Sequence, residues 1–452
     1  MSHEAALPNG PRAPAVLQLL RYTPHPAEFL EECAGKFGTP FTMRLAGFGT
    51  FVMLAEPQSV RDVFQGGPSA LHSGEANEFL ATTVGRRSLL VLDEEAHAAQ
   101  RRALLPPFHG GRMRAHIARM RRATEESLVD WPVDRPFPID GRMREITLRA
   151  ILEVVLGIDE ATTAPIRGDF ERLLDWSRLP FALVLARVSP HRLLRRMRFL
   201  PFYRELHRIE DALRAHVRQR RERVASGSVR DDVLDDLLGA RHADGRALDD
   251  DEIRDALMTM LVAGHDTTAV ALAWVFQQIL EHPGVVERIR DEVRRVAPDG
   301  IVAAEQLERL EYTDAVLRES LRRCTVVPFV TRRTTRSFRA GGHDYPAGIH
   351  LCPCSHLVHL DPELYPQPRS YRPERFLERR FAAHEWFPFG GGDRLCIGIA
   401  FALAQMKIVV ATLLANADLR RPDGAASRRV RRGILIAPSD GTQVVLTRRA
   451  SL

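Results

Sequence analysis

Lysine is nearly absent from this 452-residue sequence, in which all but two of the 64 basic side chains are arginines. Cysteine is also scarce: the chain has five, an odd number, spread unevenly. A disulfide framework needs clustered, paired cysteines, so this usage argues against a secreted disulfide scaffold and favours a reducing compartment. The sequence therefore predicts a cytoplasmic protein.

The first 26 residues have neither the long uncharged apolar span of a membrane anchor nor the basic-then-apolar pattern of a signal peptide. The formal net charge of +6 is small for this length, and arginines are scattered along helical stretches such as 214–223. These features predict a soluble protein with no membrane anchor and no nucleic-acid partner. An acidic protein partner stays compatible with this charge.

Helical periodicity dominates the chain, whose 45% hydrophobic residues can bury a large core. Alternating patterns predict two β-hairpins, one over 41–55 and one around Asp440 within 431–449. Five prolines between residues 361 and 388 predict a long ordered loop. Helices are predicted over 94–105, 142–156, 163–224, 250–281, 304–323 and 398–416. We therefore expect a mainly α fold with a smaller β region, in one domain over 1–452 with an irregular segment over 1–25.

A cysteine lies inside a glycine-rich turn, FGGGDRLCIG, at residues 389–398. The glycines permit close backbone approaches, and the apolar helix predicted after Gly398 places Cys396 at a helix N-terminus. Unpaired N–H groups and the helix dipole there should lower the thiol pKa and make the sulfur a soft anionic metal ligand.

The turn alone leaves three interpretations open. A phosphate-binding loop would need the P-loop lysine and hydroxyl or the full dinucleotide glycine pattern, and both are missing. A buried structural cysteine is the ordinary alternative. The third is the axial ligand of an iron porphyrin, whose ring nitrogens supply the other four ligands.

The turn resembles the haem-binding signature of the cytochrome P450 family, F-x-x-G-x-R-x-C-x-G. Every fixed position is matched, by Phe389, Gly392, Arg394, Cys396 and Gly398. The resemblance implies haem b (iron protoporphyrin IX), with Cys396 as the iron ligand and the other four residues binding the cofactor. It also implies the fold of that family, a single large domain that encloses the haem.

A glutamate and an arginine three residues apart, Glu319 and Arg322, share one face of a predicted helix. Such pairs are common on exposed helices and contribute little there, so on its own this spacing indicates a surface pair. Together with Arg375 in PERF, before the cysteine turn, they resemble the E-x-x-R and P-E-R-F triad of the family. The resemblance implies a buried structural network that holds the cysteine loop.

Polar residues interrupt the predicted helix 250–281 at AGHDTT, residues 263–268. A glycine and polar side chains are unfavourable in a buried helix, so their presence needs an explanation. A purely structural explanation is that the threonine hydroxyl donates to a carbonyl of its own helix. The stretch resembles the A-G-x-D/E-T oxygen-activation motif of the family. The resemblance implies proton delivery by Asp266 and Thr267, with Ala263 and Gly264 leaving room over the haem; His265, at the variable position, receives no role.

Basic residues at separate places in the sequence resemble the partners of the haem carboxylates in the family. His97 and Arg101 lie four apart on one predicted helix face and match an H-x-x-x-R pair; imidazole and guanidinium donors suit a carboxylate. Arg332 follows the E-x-x-R helix, with Arg333 beside it as the alternative. Arg394 of the cysteine turn is the remaining partner.

One stretch indicates a different class of protein, a zinc-binding module. The sequence HLCPCSHLVH offers the potential ligands His350, Cys352, Cys354, His356 and His359. Alternate strand residues lie about 7 Å apart and there is no C-x-x-C pair, so these side chains do not readily converge on one ion. A strand followed by a turn is the simpler interpretation, and it is similar to the S-x-x-x-H-x-D-P stretch of the P450 family.

The activity implied by the resemblance is monooxygenation, the insertion of one oxygen atom of O2 into a hydrophobic organic substrate such as a lipid, steroid, terpenoid or polyketide. Stretches such as LHSGEANEFL and LLPPFHGGRM resemble actinobacterial members. Two alternatives stay open: a peroxide-driven enzyme, which would lack the acid–alcohol pair, and a non-catalytic haem sensor. A requirement for NAD(P)H and a reductase distinguishes the first of them. The segments expected to line the pocket are 72–90, 170–200, 256–264 and 325–331.

Electrons are expected to come from NAD(P)H through a separate ferredoxin or flavodoxin with its reductase. Four arginines would give the cysteine side of the protein a positive field that attracts such an acidic donor. They are Arg101, Arg102, Arg112 and Arg394.

Overall fold

The structure is a computed structural model that describes residues 7–106, 112–157, 160–177, 200–226, 232–242 and 244–450. Its helices are α1 (Ala15–Tyr22), α2 (Pro26–Phe37), α3 (Pro57–Gln65), α4 (Ala81–Val84), α5 (Glu94–Leu104), α6 (Arg112–Val129), α7 (Ile139–Leu156), α8 (Glu160–Ser177), α9 (Pro201–Ala225), α10 (Val233–Gly239), α11 (Asp250–Leu280), α12 (Pro283–Val296), α13 (Glu311–Arg323), α14 (Ser355–Val358), α15 (Arg375–Glu378) and α16 (Ile399–Asn416). Its strands are β1 (Phe41–Leu45), β2 (Gly49–Leu54), β3 (Leu71–His72), β4 (Pro136–Pro138), β5 (Arg332–Thr334), β6 (Phe338–Ala340), β7 (His343–Tyr345), β8 (His350–Pro353), β9 (Ala417–Arg420), β10 (Arg429–Arg432), β11 (Leu435–Pro438) and β12 (Gln443–Arg449). The expected mainly α fold with a smaller β region is confirmed.

The long helix α11 runs through the core. It begins in a capping box, in which the Asp249 side chain accepts the Glu252 N–H at 2.9 Å and the Glu252 side chain accepts the Asp249 N–H at 2.8 Å. It packs most extensively on α7, and Pro283 at the start of α12 follows its end. Both α11 and α16 are long and apolar enough to span a membrane, but 78% and 56% of their most apolar windows are buried in the fold.

A five-stranded sheet in the order β1-β2-β8-β5-β3 lies beside the helices. β1 and β2 form the predicted hairpin over 41–55, with Phe41 opposite Met53. β2 then pairs in parallel with β8, and β8 pairs antiparallel with β5. Because neighbouring residues on a strand point to opposite faces, Arg332 is buried whereas Arg333 is half-buried and pairs with Glu75.

The C-terminal strands differ from the expectation. The predicted hairpin around Asp440 is wrong: β10 pairs with β11 around Gly433, and β12 pairs with β4 and β9. The Asp440 carboxylate accepts hydrogen bonds from the backbone N–H groups of Thr442 and Gln443, at 3.0 and 3.2 Å. This side-chain turn directs β12 away from β11.

The segment 1–25, expected to be irregular, contains helix α1. Its buried residue is Gln18, whose amide donates to the carbonyls of Pro11 and Ala13 and whose Oε1 accepts the N–H of Arg44 on β1. The side-chain amide therefore fixes the short helix against the sheet. Long-range hydrogen bonds of this kind leave no periodic signal in the sequence.

Helices α5, α7, α11 and α16 lie where the periodicity predicts them. The predicted helix 304–323 is divided at Leu310 into a 3₁₀ turn and α13. Of the predicted helix 163–224, α8 and α9 are seen, and residues 178–199 lie outside the described residues. Helices α6 and α12 are absent from the sequence-based prediction.

Arginine supplies the cation in most ion pairs of the described residues. One buried group joins three helices: Arg220 of α9 donates to Asp232 at 2.6 Å, to Asp235 of α10 at 2.9 Å and to the Leu156 carbonyl of α7 at 2.9 Å. Lys407 of α16 pairs with Asp314 of α13 at 3.1 Å. The fold is therefore fastened mainly by guanidinium groups.

Candidate active site

The cysteine turn is shaped by glycine. Gly392 has a φ of 68°, and a Cβ there would lie 2.3 Å from the backbone oxygen of Phe64. Only glycine combines this left-handed conformation with such a close approach. The Cys396 N–H donates to the Phe389 carbonyl at 3.0 Å, which closes the turn before α16.

Cys396 differs from the other cysteines in its accessibility. All five cysteines lie in the described ranges, and Cys396 is exposed whereas the other four are buried. Burial nevertheless raises the pKa of its thiol, and the hydrogen bond from the Gly398 N–H and the charge of Arg101 lower it by less. The predicted net lowering is therefore wrong, because desolvation outweighs the helix N-terminus. A bound metal cation would deprotonate such a thiol outright.

Helix α11 presents an accessible patch inside an otherwise buried span. Ala263 is exposed, and Val262, Gly264 and Thr267 are half-buried, whereas His265, Asp266 and Thr268 are buried. The Thr267 hydroxyl donates to the Ala263 carbonyl at 2.6 Å, which is the back-bonded arrangement that the sequence left open. Because α11 contacts α16, this patch and the Cys396 turn belong to packed neighbouring elements.

Asp266 and His265 point into the protein interior. His265 is fully buried, accepts or donates a 3.0 Å hydrogen bond with the Thr147 hydroxyl of α7, and burial lowers its pKa to about 3. Asp266 is also buried, and its Oδ1 has no hydrogen-bond partner among the described residues. Burial raises the pKa of this carboxyl, against the opposing charges of Arg432 and Arg144.

Positively charged side chains crowd the other side of the cysteine turn. Arg394 donates to the Asp93 carboxylate at 2.6 Å, and Arg332 donates to the Gly391 carbonyl at 3.1 Å. Burial lowers the pKa of Arg394 and lowers that of Arg332 to about 10. Burial, with the nearby charge of Arg394, lowers the pKa of His97 to about 4. Burial is the largest cause of all three shifts, and the carboxylates of Asp93 and Asp393 oppose it. The guanidinium groups of Arg101, Arg332 and Arg394 outnumber these two carboxylates, which leaves the cluster with an excess of positive charge.

This basic cluster contains the sequence-predicted carboxylate partners His97, Arg101, Arg332 and Arg394. The charge of Arg101 acts on both His97 and Arg394, so these three groups are close together. Arg333 instead forms an ion pair with Glu75. Sequence reasoning missed Asp93, the N-cap residue of α5, which holds Arg394 across about 300 positions of chain.

Glu319, Arg322 and Arg375 form one buried network. The Glu319 carboxylate accepts Nε and Nη2 of Arg322 at 2.7 and 2.8 Å, Nε of Arg375 at 3.2 Å and the backbone N–H of Arg372 at 3.0 Å. Arg322 also donates to the carbonyls of His359 and Pro368. The network therefore ties α13 to the long proline-rich loop that leads to the cysteine turn.

The potential zinc ligands of residues 350–359 are dispersed. His350 stacks on Phe51, His356 bonds Glu31 at 2.9 Å, and His359 accepts the Phe387 N–H at 3.2 Å. No group of three His, Cys, Asp or Glu side chains that could hold a metal ion is found in the described part of the chain. A zinc module therefore receives no support there.

A cavity of about 670 Å³ opens between the β1–β2 turn and the segment that follows β3. The rest of the lining consists of glycines, His350 and charged residues, and its apolar surface comes from Phe48, Phe51, Ala76, Ala81 and Val91. The expected pocket segment 72–90 thus borders it, whereas residues 178–199 of the expected pocket lie outside the described residues.

The sequence profile of the family described as "Cytochrome P450" matches residues 8–445. The chain belongs to the cytochrome P450 family. Two relatives with provisional names, both from Mycobacterium tuberculosis, are cytochrome P450 135B1, 34% identical over 97% of this chain and 91% of its own length, and cytochrome P450 137, 32% identical over 90% and 83%. The resemblance to actinobacterial members is consistent with these relatives.

The fold is that of solved cytochrome P450 structures. A cyanobacterial CYP120A1 with bound retinoic acid superposes with a TM-score of 0.85 at 23% identity, covering 98% of this chain and 99% of that one. The haem domain of cytochrome P450DA gives a TM-score of 0.85 at 21% identity, covering 98% of each chain.

Membership of the P450 family implies a haem cofactor, and the residues present fit one. A haem carries two carboxylates, and the basic cluster is a buried site deficient in negative charge; the Nε of Arg394 has no hydrogen-bond partner within the described ranges. A single accessible thiol adjoins this cluster, and small residues keep the facing part of α11 open. The basic cluster fits the haem carboxylates, the thiol fits the iron, and the open part of α11 fits the porphyrin ring.

Proposed function

We propose that this P450 is a haem-thiolate monooxygenase that inserts one oxygen atom of O2 into a hydrophobic organic substrate. Electrons reach it from NAD(P)H through a separate redox partner. The observation that carries the proposal is the isolation of the accessible Cys396 thiol beside a buried basic cluster with too little negative charge. The presence of Asp266 and Thr267 favours O2 over a peroxide-driven reaction.

Cys396 is the proposed iron ligand, and Phe389, Gly392 and Gly398 fix its turn. His97, Arg101, Arg332 and Arg394 bind the two haem carboxylates, whose charges compensate the buried cations. When bound, the haem supplies the oxygen-activating chemistry. A thiolate ligand donates electron density that favours O–O cleavage.

Asp266 and Thr267 are proposed to deliver protons. Burial raises the pKa of the Asp266 carboxyl, which favours its protonated form. The Thr267 hydroxyl lies on the accessible face of the same helix and keeps its position by donating to Ala263. Asp266 gives up its proton towards this hydroxyl and is then reprotonated from solvent.

The proposed substrate is apolar because two of the segments expected to line its pocket, 256–264 and 325–331, are rich in apolar residues. Helix α11 supplies Met260 and Leu261, and the chain after α13 supplies Val326 and Val327. Such surfaces bind ligands by removing apolar area from water. Lipids, steroids, terpenoids and polyketides all meet this requirement.

A Cys396→Ser variant tests the proposal through the carbon monoxide difference spectrum of the dithionite-reduced protein. We expect wild-type protein to show the long-wavelength Soret band of thiolate-ligated ferrous haem, and the variant to lose it because a serine oxygen is not a soft anionic ligand. Cys33→Ser, in the distant helix α2, is the matched control and should keep the band. Absence of haem from wild-type protein, or the same band in Cys396→Ser, would contradict the proposal.

An acidic ferredoxin or flavodoxin is the proposed electron donor. Arg102 is exposed in the last turn of α5, where it pairs with the exposed Glu95 carboxylate at 2.7 Å and donates to the Ala98 carbonyl at 3.3 Å. Arg112 begins α6. Reversing both charges should slow reduction by such a partner about tenfold at low salt, and the deficit should shrink as salt screens the charges.

Stopped-flow reduction of the paired variant Arg102→Glu and Arg112→Glu measures this effect. Arg294→Glu, exposed on α12, is a control with the same kind of charge change and should reduce at nearly the wild-type rate. If the paired variant is reduced as fast as wild type, the proposed docking surface is wrong.

A further inference from the structure

A hydrogen-bonded cluster of charged side chains acts electrostatically on Asp266. Asp140 of α7 accepts hydrogen bonds on Oδ2 from Arg144 of the same helix at 2.9 Å and from Arg432 of β10 at 2.7 Å. The Asp140 side chain is 7% exposed, that of Arg432 13% and that of Arg144 21%. The cluster therefore extends from the buried Asp266 region to solvent.

The helix packing brings the cluster to this place. Thr147 contacts His265, and Ile151 lies against Gly264, so α7 runs antiparallel to α11. Residues earlier in α7 consequently lie beside residues later in α11. Arg144, one turn before Thr147, thus comes close to the turn of α11 that contains Asp266.

Two buried atoms of opposite character lack partners here. Oδ1 of Asp266 is an acceptor and Nη1 of Arg432 is a donor, and neither has a hydrogen-bond partner among the residues that the structure describes. Of the charges that act on Asp266, that of Arg432 has the largest effect, followed by Arg144, Asp140 and Asp175 of α8. Buried donors and acceptors are nearly always bonded, directly or through a water molecule.

The net charge of the cluster also favours an interaction between Arg432 and Asp266. Asp140, Arg144 and Arg432 comprise one carboxylate and two guanidinium groups, which leaves one positive charge in excess. An ionised Asp266 would balance it, whereas neighbouring His265 stays neutral because burial lowers its pKa to about 3. The remaining acid, Asp175, is exposed and acts more weakly.

We propose that Arg432 is the positioning residue of Asp266: its guanidinium, anchored on Asp140, binds the Asp266 carboxylate through Nη1 whenever that side chain is ionised. The inference rests on the proton-delivery role given to Asp266 above. After Asp266 gives its proton towards Thr267, Arg432 holds the resulting carboxylate until a proton from solvent returns to it. Arg432 itself carries no proton between them, because a guanidinium is not deprotonated in proteins.

Infrared spectroscopy of the haem-loaded protein tests the link without turnover. The carbonyl band of protonated Asp266, identified by its loss in Asp266→Asn, is followed as a function of pH. In Arg432→Gln the band should persist to a pH about one unit higher, a tenfold change in the proton-binding constant, because the ionised form has lost its cation. Arg432→Lys should restore most of the wild-type midpoint, and Arg431→Gln, the preceding residue of β10, should leave it unchanged.

The Asp140→Asn variant should shift the pH midpoint of the band in the opposite direction. It provides the test if the Arg432→Gln protein does not fold. It removes an anion that disfavours ionised Asp266 and releases Arg432, so the band should disappear at a lower pH than in wild type. Unchanged midpoints in Arg432→Gln, or in Asp140→Asn where only that variant folds, would overturn the inference.

The solvent isotope effect on NADPH oxidation, with a surrogate ferredoxin and reductase, separates this inference from the proposed function. A larger effect in Arg432→Gln, together with the shifted band, supports both. A shifted band with an unchanged isotope effect supports the assignment of Arg432 and overturns the proton-delivery role of Asp266.

Discussion

Replacing Glu319 by glutamine should destabilise the protein by about 3–5 kcal/mol and abolish stable haem binding. The carboxylate is the common acceptor for two arginines, Arg322 and Arg375, which are 1% and 4% exposed. Glutamine would turn an amide NH₂ towards a guanidinium and leave two buried cations without a counter-ion. The substitution removes the anion and leaves both cations buried, and removing only one partner of a buried ion pair is strongly destabilising.

The loss of stability should extend to the cysteine turn, because α13 is hydrogen-bonded at two places to the loop that precedes this turn. Arg372, beside the triad, donates its N–H to Glu319, and Trp386 donates to the Arg318 carbonyl at 3.2 Å. Urea unfolding and the haem content per protein measure the two effects. Glu311→Gln, exposed at the start of α13, should change stability by less than about 0.5 kcal/mol. A Glu319→Gln protein that matched this control would contradict the structural role of the triad.

Replacing Asp266 by asparagine should lower turnover about 100-fold or more, because an amide of the same shape cannot hold and release the proton. The fold and the carbon monoxide spectrum should be preserved, since Oδ1 makes no hydrogen bond within the described residues. NADPH consumption and product formation with a screened apolar substrate measure the loss. Glu281→Gln, just beyond α11 and exposed, is the control. Turnover within about threefold of wild type would contradict the assigned role.

The same variant has a defined pH dependence of stability. Burial raises the pKa of Asp266 in the folded protein, so the folded state binds this proton more tightly than the unfolded chain. The free energy of unfolding of the wild type therefore falls as the pH rises from about 4 through the raised pKa. An asparagine side chain does not titrate, so the Asp266→Asn protein should be more stable than wild type at about pH 8, and the difference should vanish towards about pH 4. Thermal unfolding at both pH values checks the sign.

The features that sequence reasoning found are local in the chain. The Cys396 turn, the polar interruption of α11 and the spacing of Glu319 and Arg322 each occupy fewer than about twelve consecutive residues, where backbone and helix geometry set the pattern. Helix α12 had such a signal too, since it buries Val286, Ile289 and Val293 at helical spacing. The apolar stripe of α12 is narrow because the helix carries many charged residues, so the sequence-based prediction did not include this helix.

The features that sequence reasoning missed depend on contacts between distant segments. β12 pairs with β4 and β9 because the Asp440 turn redirects it, and no alternation pattern specifies a strand's partner. Arg432 comes close to Asp266 only after β10 has paired with β11, which packs on α11. The pKa of Cys396 was predicted in the wrong direction because helix position is local, whereas desolvation depends on the whole fold.

The preference for guanidinium groups in the ion pairs has a consequence for the orientation of the paired elements. A guanidinium can donate to two carboxylate oxygens at once in a fixed plane, whereas a lysine ammonium acts as a point charge on a flexible stem. Of the two lysines, Lys36 is exposed on α2, and Lys407 joins α16 to Asp314 and to the Leu307 carbonyl. The lysine contact therefore sets a distance between α16 and α13 without fixing their mutual orientation, in contrast to the two-point pair of Arg322 with Glu319.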